Sequence, residues 1–145
     1  EFISSGELTV CVIGNAPPRA YPAIQRPLDP ATRLSCHLLK PSPAFGETPL
    51  LFDEALEAQA QRIALTMFEA LGCRDMARVD VRVDERGRLY FLEINPLPSF
   101  DPEGNLGLLA EYLGASYAEL IGRILEAALA RLGRRTSEEP TPFVE

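Results

Sequence analysis

The sequence predicts an α+β fold: an antiparallel sheet flanked by helices. Three observations carry this reading. Residues 7–13, 77–83 and 89–95 are β-branched or alternate apolar with polar side chains, as strands do. Residues 53–71 and 116–132 repeat apolar side chains at helical spacing. The order is β, long loop, α, β-hairpin, α, α, which suits an antiparallel sheet with its helices on one side.

The elements follow in chain order. Ser4-Ser5-Gly6 is a turn, and Glu7 to Ile13 is the first strand. Residues 16–50 hold eight of the 13 prolines, which excludes a helix or a central strand. A loop of this length is a lid or a plain surface loop. Asp53 caps a helix that places Leu56, Ala60, Ile63, Ala64, Met67, Phe68 and Leu71 on one face, and Gly72 stops it. Asp84 to Arg88 turns the hairpin, and Pro96 and Pro98 end its second strand. A short helix follows near 105–113. Ser116 and Glu119 form a capping box for the last helix, which Gly133 ends. Residues 134–145 are polar and charged and read as a disordered tail. Residues 1–133 form one domain.

Several function classes drop out on composition. The net charge of −7 lacks the basic footprint of nucleic-acid binding. No apolar run reaches the roughly 20 residues of a membrane helix. Glu1-Phe2-Ile3-Ser4 is neither an initiator Met nor a signal peptide, and reads as the start of a piece of a longer polypeptide. Cys11, Cys36 and Cys73 are widely spaced and His37 is the single histidine, so neither a zinc site nor a disulfide framework is expected. Reduced thiols suit a cytoplasmic protein.

The hairpin carries the chemistry. Alternation places Arg78 with Asp80, and Glu93 with Asn95, on shared strand faces. A four-residue loop between Asp84 and Leu89 sets Val83 opposite Tyr90 and Asp80 opposite Glu93. Two carboxylates would then be cross-strand neighbours about 4.5–5.5 Å apart at Cβ, a repulsive arrangement that something must offset. Magnesium suits that task, since it takes one or two carboxylates together with phosphate oxygens and waters. Asn95 adds a neutral oxygen, and Arg78 would stabilise charge on a transferring phosphoryl group. The alternative is a solvent-facing hairpin whose polar residues are merely hydrated.

Ala77-Arg78-Val79-Asp80-Val81, a turn, then Phe91-Leu92-Glu93-Ile94-Asn95-Pro96-Leu97-Pro98 resembles the Arg-x-Asp and Glu-x-Asn motifs of the D-alanine–D-alanine ligase family of ATP-grasp enzymes. Residues 1–10, Leu71-Gly72-Cys73-Arg74 and residues 114–121 are similar to that family as well. The resemblance implies the C-terminal half of an ATP-grasp fold. It implies an ATP- and magnesium-dependent carboxylate–amine ligase that works through an acyl phosphate and serves cell-wall biogenesis. By position, Asp80, Glu93 and Asn95 match the ligands of two Mg2+ ions (or Mn2+ in their place), with Glu93 bridging. Arg78 matches the residue that holds the transferring phosphate. Phe2 and Ile3 match residues at the adenine, Glu1 the hinge, and Glu7 the ribose-binding carboxylate. The implied partners are small amino-acid substrates and a missing N-terminal half, without which this piece would be inactive. Neither nucleic acid nor membrane is among them, and a homodimer is compatible.

Two departures bear on substrate. The family's loop after Asn-x-x-Pro continues Gly-Met-Thr to a Ser-Leu pair, where this chain has Ser99-Phe100-Asp101-Pro102-Glu103-Gly104-Asn105-Leu106. The family's lid carries an adjacent Lys-Tyr pair, whereas Tyr21 and Lys40 stand far apart. Ligation of another amino acid or small carboxylate therefore stays beside D-alanine as a reading, as does a non-catalytic nucleotide-binding module.

Overall fold

The computed structural model describes residues 2–26, 28, 29, 31–34 and 53–135, except the side chains of residues 134 and 135. Among the described residues, five strands and three helices run in the order β1 (Gly6–Ile13), β2 (Arg19–Ala20), β3 (Ile24–Gln25), α1 (Glu54–Ala70), β4 (Met76–Val83), β5 (Leu89–Asn95), α2 (Asn105–Tyr112), α3 (Tyr117–Arg135). The sheet order is β2-β1-β4-β5, with β3 also on β1, and every pairing is antiparallel.

The strands alternate between two environments. Leu8, Val10 and Val12 of β1 and Ala77, Val79, Val81 and Val83 of β4 pack against Leu56, Ala60, Ala64 and Phe68 of α1. Cys11 and Ile13, from the intervening positions of β1, join Met76 in a second cluster with Leu106, Leu109, Leu120 and Ile124 of α2 and α3. Side chains alternate faces along a strand, so helices cover both sides of the sheet. The expectation of helices on one side is corrected here. One hydrophobic stripe per helix was legible; which sheet face each stripe meets depends on chain crossings that the pattern does not encode.

Local signals account for the helix ends. Asp53 accepts the Leu56 amide at 2.9 Å as N-cap of α1, and Gly72 ends it at φ 64°. Ser116 and Glu119 exchange the expected pair of amide bonds at the start of α3. That helix runs through Gly133 to Arg135 rather than stopping at the glycine. A glycine within a helix costs about 1 kcal/mol but does not forbid it. Residues 136–145, assigned to the tail, lie outside the described residues.

The first part of the Pro-rich stretch is more ordered than a loop. Residues 19–25 form two short edge strands on β1, where proline's missing donor is tolerated at the sheet margin. The Tyr21 carbonyl accepts from Gln61 Nε2 and the Ala23 amide donates to Glu57, which hold this segment to α1. Residues 35–50 of the expected lid lie outside the described residues, with Cys36, His37 and Lys40 among them. Among the described residues, no helix is long and apolar enough to cross a membrane.

Candidate functional site

The hairpin brings Asp80 directly opposite Glu93, and Arg78 opposite Asn95. The turn is tighter than expected. Asp84 and Arg88 pair at 3.1 Å around Glu85-Arg86-Gly87, with Gly87 at φ 73° as the left-handed closing residue. Val83 therefore faces Leu89 and not Tyr90. A bulge at Leu92 adds one residue to β5 and restores the Asp80–Glu93 pairing. Turn and bulge each shift the register by one, and the shifts cancel at the carboxylates.

Arg78 offsets the repulsion between the two acids. Its Nη2 lies 2.8 Å from Asp80 Oδ2 and 3.4 Å from Glu93 Oε1, and its Nε is 3.1 Å from the same Asp80 oxygen. Asp80 is 3% exposed. Its Oδ1 accepts the Thr9 hydroxyl at 2.7 Å. The Glu93 side chain, by contrast, is 58% exposed on the edge strand. The Asn95 Oδ1 accepts the Leu97 amide at 3.0 Å in a turn leading into the loop. Arg78, Asp80 and Glu93 thus touch one another, while Asn95 holds its place in the register with its oxygen bonded to its own loop.

Charges continue across β1. Glu7, 4% exposed, pairs with Arg82 at 2.9 Å and lies 3.9 Å from Arg26 Nε. Arg26 Nε donates to Thr9 Oγ1 at 3.2 Å. Cys11, opposite Arg78, is buried, which pushes its thiol up to about 12 against the opposing pull of Arg78. Thr9, Arg26 and Arg82 escaped the sequence reading. Alternation from Glu7 would have put Thr9 on the Asp80 face, but a threonine in a strand looks like any other strand former.

The residues matched to adenine sit at the rim. Phe2 is 57% exposed, with the Arg82 guanidinium 5.4 Å from its ring centroid. The Ile3 carbonyl accepts from Arg82 Nη1 at 3.4 Å. An open cleft of about 380 Å³ lies between residues 2–5 and the hairpin turn, reached by Asp84, Arg88 and Tyr90. A groove of about 410 Å³ on α1 brings none of the hairpin residues with it. Glu1 lies outside the described residues.

The donor set can be tested against a metal. Among the described residues, no group of three His, Cys, Asp or Glu side chains is placed to hold an ion. The set here is two carboxylates and one amide oxygen. A carboxylate has about four acceptor sites and an amide oxygen two. Asp80 uses three and Asn95 one on the bonds given above. Glu93 is exposed and, among the described residues, meets only the long contact to Arg78. Hard oxygens therefore remain for magnesium, which needs few protein ligands when phosphate supplies the rest.

The family described as D-ala D-ala ligase C-terminus matches residues 1–126. The D-alanine–D-alanine ligase B of Chromobacterium violaceum is 34% identical over 128 residues, covering 87% of this chain and 41% of its own. The D-alanine–D-alanine ligase of Marinomonas is 34% identical over 138 residues, 92% of this chain and 42% of that one. Among solved structures, the D-alanine–D-alanine ligase of Coxiella burnetii superposes with a TM-score of 0.73 at 23% identity, over 94% of this chain and 35% of that one. The Bacillus anthracis enzyme, solved with ATP, gives 0.66 at 23% identity over 97% and 41%. The chain spans about two fifths of the length of these curated relatives.

Proposed function

The chain belongs to the D-alanine–D-alanine ligase C-terminal family, and on that footing we propose that it is the phosphate- and metal-handling half of an ATP-dependent carboxylate–amine ligase with the ATP-grasp fold. The observation that carries this is the contact of Arg78 with both Asp80 and Glu93 on one sheet face. A purely structural hairpin has no need of two facing carboxylates on an edge, whereas a metal–polyphosphate site needs both signs of charge within reach of one another.

Asp80, Glu93 and Asn95 would hold magnesium. When bound, the ion neutralises phosphate charge and orients the in-line transfer. Arg78 is the residue for the transferring phosphoryl group. Its guanidinium already bonds Asp80 on one side and reaches exposed Glu93 on the other. With Glu93 committed to a cation, the Arg78 Nη2 donor that now faces it would be available to a phosphoryl oxygen. The balanced reaction runs in two steps. A carboxylate oxygen attacks the γ-phosphorus and ADP leaves; an amine nitrogen then attacks the acyl carbon, loses a proton, and phosphate leaves. Phe2 and Ile3 would border the adenine. Glu7 would meet the ribose by giving up part of its pairing, since its Oε2 holds Arg82 and its Oε1 faces Arg26. The Pro-rich stretch would serve as the lid that keeps water from the acyl phosphate.

A substrate other than D-alanine stays beside it, because residues 99–106 lack the family's Ser-Leu pair. Ser99 stands in the loop after Asn95, but its Oγ accepts the Asp101 amide at 3.2 Å, and Asp101 in turn accepts the Glu103 amide. These bonds close the loop's own turns and leave Ser99 its hydroxyl proton to give.

The test is ADP release by the full-length protein with Mg2+ and a panel of amino acids and small carboxylates, D-alanine included. Release that requires Mg2+, a carboxylate and an amine, and that Arg78→Met abolishes, is the expected result. Nucleotide binding without turnover on any substrate would replace the ligase by a binding module.

A further inference from the structure

Asp80 is held by more than Arg78. Thr9 lies directly opposite it across β1 and β4, with no exposed surface. A threonine hydroxyl has one proton to give and lone pairs to receive with. Arg26 Nε–H occupies the accepting side at 3.2 Å, and the proton goes to Asp80 Oδ1 at 2.7 Å. The direction of the chain Arg26 → Thr9 → Asp80 is fixed, because a guanidinium cannot accept. The carboxylate is thus clamped from two sides: by Thr9 on Oδ1 and by Arg78 on Oδ2. Arg26 follows β3 in the Pro-rich stretch, where its amide bonds the Glu7 carbonyl at 2.9 Å.

We infer that Thr9 is a positioning residue for the metal-binding carboxylate of Asp80, and that Arg26 orients the Thr9 hydroxyl from the Pro-rich segment. This rests on the ligase reading above. A carboxylate rotates about its last bond over a broad range. Thr9 and Arg78 together fix that rotation, so the remaining lone pair of Oδ1 presents to one side only. Partners that orient a metal ligand are worth about 10- to 100-fold in metal affinity. The coupling also gives the Pro-rich segment a direct line to the site: displacing β3 from β1 withdraws Arg26 from Thr9.

The experiment uses the full-length protein and Mn2+ as the EPR-visible probe, titrated with ATP present, beside thermal melts in EDTA. Thr9→Val keeps the side chain's shape and removes the hydroxyl. It is expected to weaken Mn2+ binding about 10- to 100-fold, while Thr9→Ser stays within about twofold of the parent because the hydroxyl persists. Arg26→Met leaves the hydroxyl undirected and is expected to weaken binding several-fold. A melting point lowered in Thr9→Val with Mn2+ affinity unchanged would mean a structural hydroxyl and would overturn the inference alone. Should Thr9→Val fail to fold, Arg26→Met decides, and parental affinity there overturns it equally. If the unsubstituted protein binds no Mn2+ with ATP, the ligase reading falls and this inference with it.

Discussion

Asp80→Asn and Glu93→Gln each delete one negative charge from the same pair, yet the structure assigns them different costs to folding. Asp80 is buried and receives two charge-assisted bonds from Arg78, at 2.8 and 3.1 Å, and the Thr9 hydroxyl at 2.7 Å. An asparagine must turn an NH2 toward one of those donors. Either Arg78 or Thr9 then loses its partner inside the protein. Bonds to charged groups are worth about 1.5–3 kcal/mol, so a loss of about 2–3 kcal/mol is expected after the surviving oxygen is counted. For a domain of this size that lowers Tm by roughly 5–10 °C. Glu93 is 58% exposed, with one contact at 3.4 Å. Exposed pairs contribute about 0–1 kcal/mol, and Glu93→Gln should shift Tm by no more than roughly 3 °C. Melts in EDTA separate these effects from metal binding. An Asp80→Asn variant that melts with the parent would refute the reasoning: relief of carboxylate repulsion would then outweigh the bonds from Arg78 and Thr9.

Two further outcomes follow from local geometry. Asp84 is lowered from its ordinary 3.8 to about 2: burial pushes it up, but bonds from the Arg88 amide and guanidinium and the Arg86 amide outweigh it. A depressed carboxyl contributes stability above its unfolded value and loses it as pH falls toward the folded one, so the hairpin turn should loosen between about pH 4 and pH 2, and Asp84→Asn should flatten that dependence in melts against pH. A Cβ on Gly107 would stand 1.7 Å from the Pro102 carbonyl oxygen, while one on Gly122 meets nothing within 4 Å. Gly107→Ala should therefore destabilise by about 1–3 kcal/mol, and Gly122→Ala, within α3, should stabilise by about 0.5–1 kcal/mol; parallel thermal melts compare the two.

What was legible in the sequence was whatever repeats or caps locally. The bounds of β5 and the Asp53 and Ser116 caps follow from alternation or from side chains within a few residues, whereas Asp80 faces Glu93 only because a shorter turn and a bulge offset each other. What was not legible depends on partners far along the chain. Thr9 meets Asp80 from 71 residues away, and Arg26 reaches it through that hydroxyl. The last helix shows the same limit. Asp75 takes a left-handed φ of 66°, which aspartate tolerates. Asn15 bonds both its amide and its carboxylate, and Arg131 of α3 grips both its oxygens. Those bonds hold the Asp75 carboxyl below its ordinary range, Arg131 first among them. Nothing in the spacing of Asn15, Asp75 and Arg131 announces the clamp.

That clamp bears on how one sheet face serves two purposes. Along β1 the positions facing the site side run Glu7, Thr9, Cys11, Ile13; opposite them on β4 run Arg82, Asp80, Arg78, Met76. Polarity falls along both strands toward the same end, where Ile13 and Met76 meet α2 and α3. The Asp75 clamp fixes α3 over that apolar end, while the charged end runs on toward Glu7 and Arg82. There, Arg26, Arg78 and Arg82 interleave with Glu7, Asp80 and Glu93. Among the described residues three basic side chains meet three acidic ones, so opposite charges are paired along one face. Buried charges left unpaired would cost several kcal/mol apiece. Glu93, the exposed member, is the one whose departure from Arg78 disturbs the rest least.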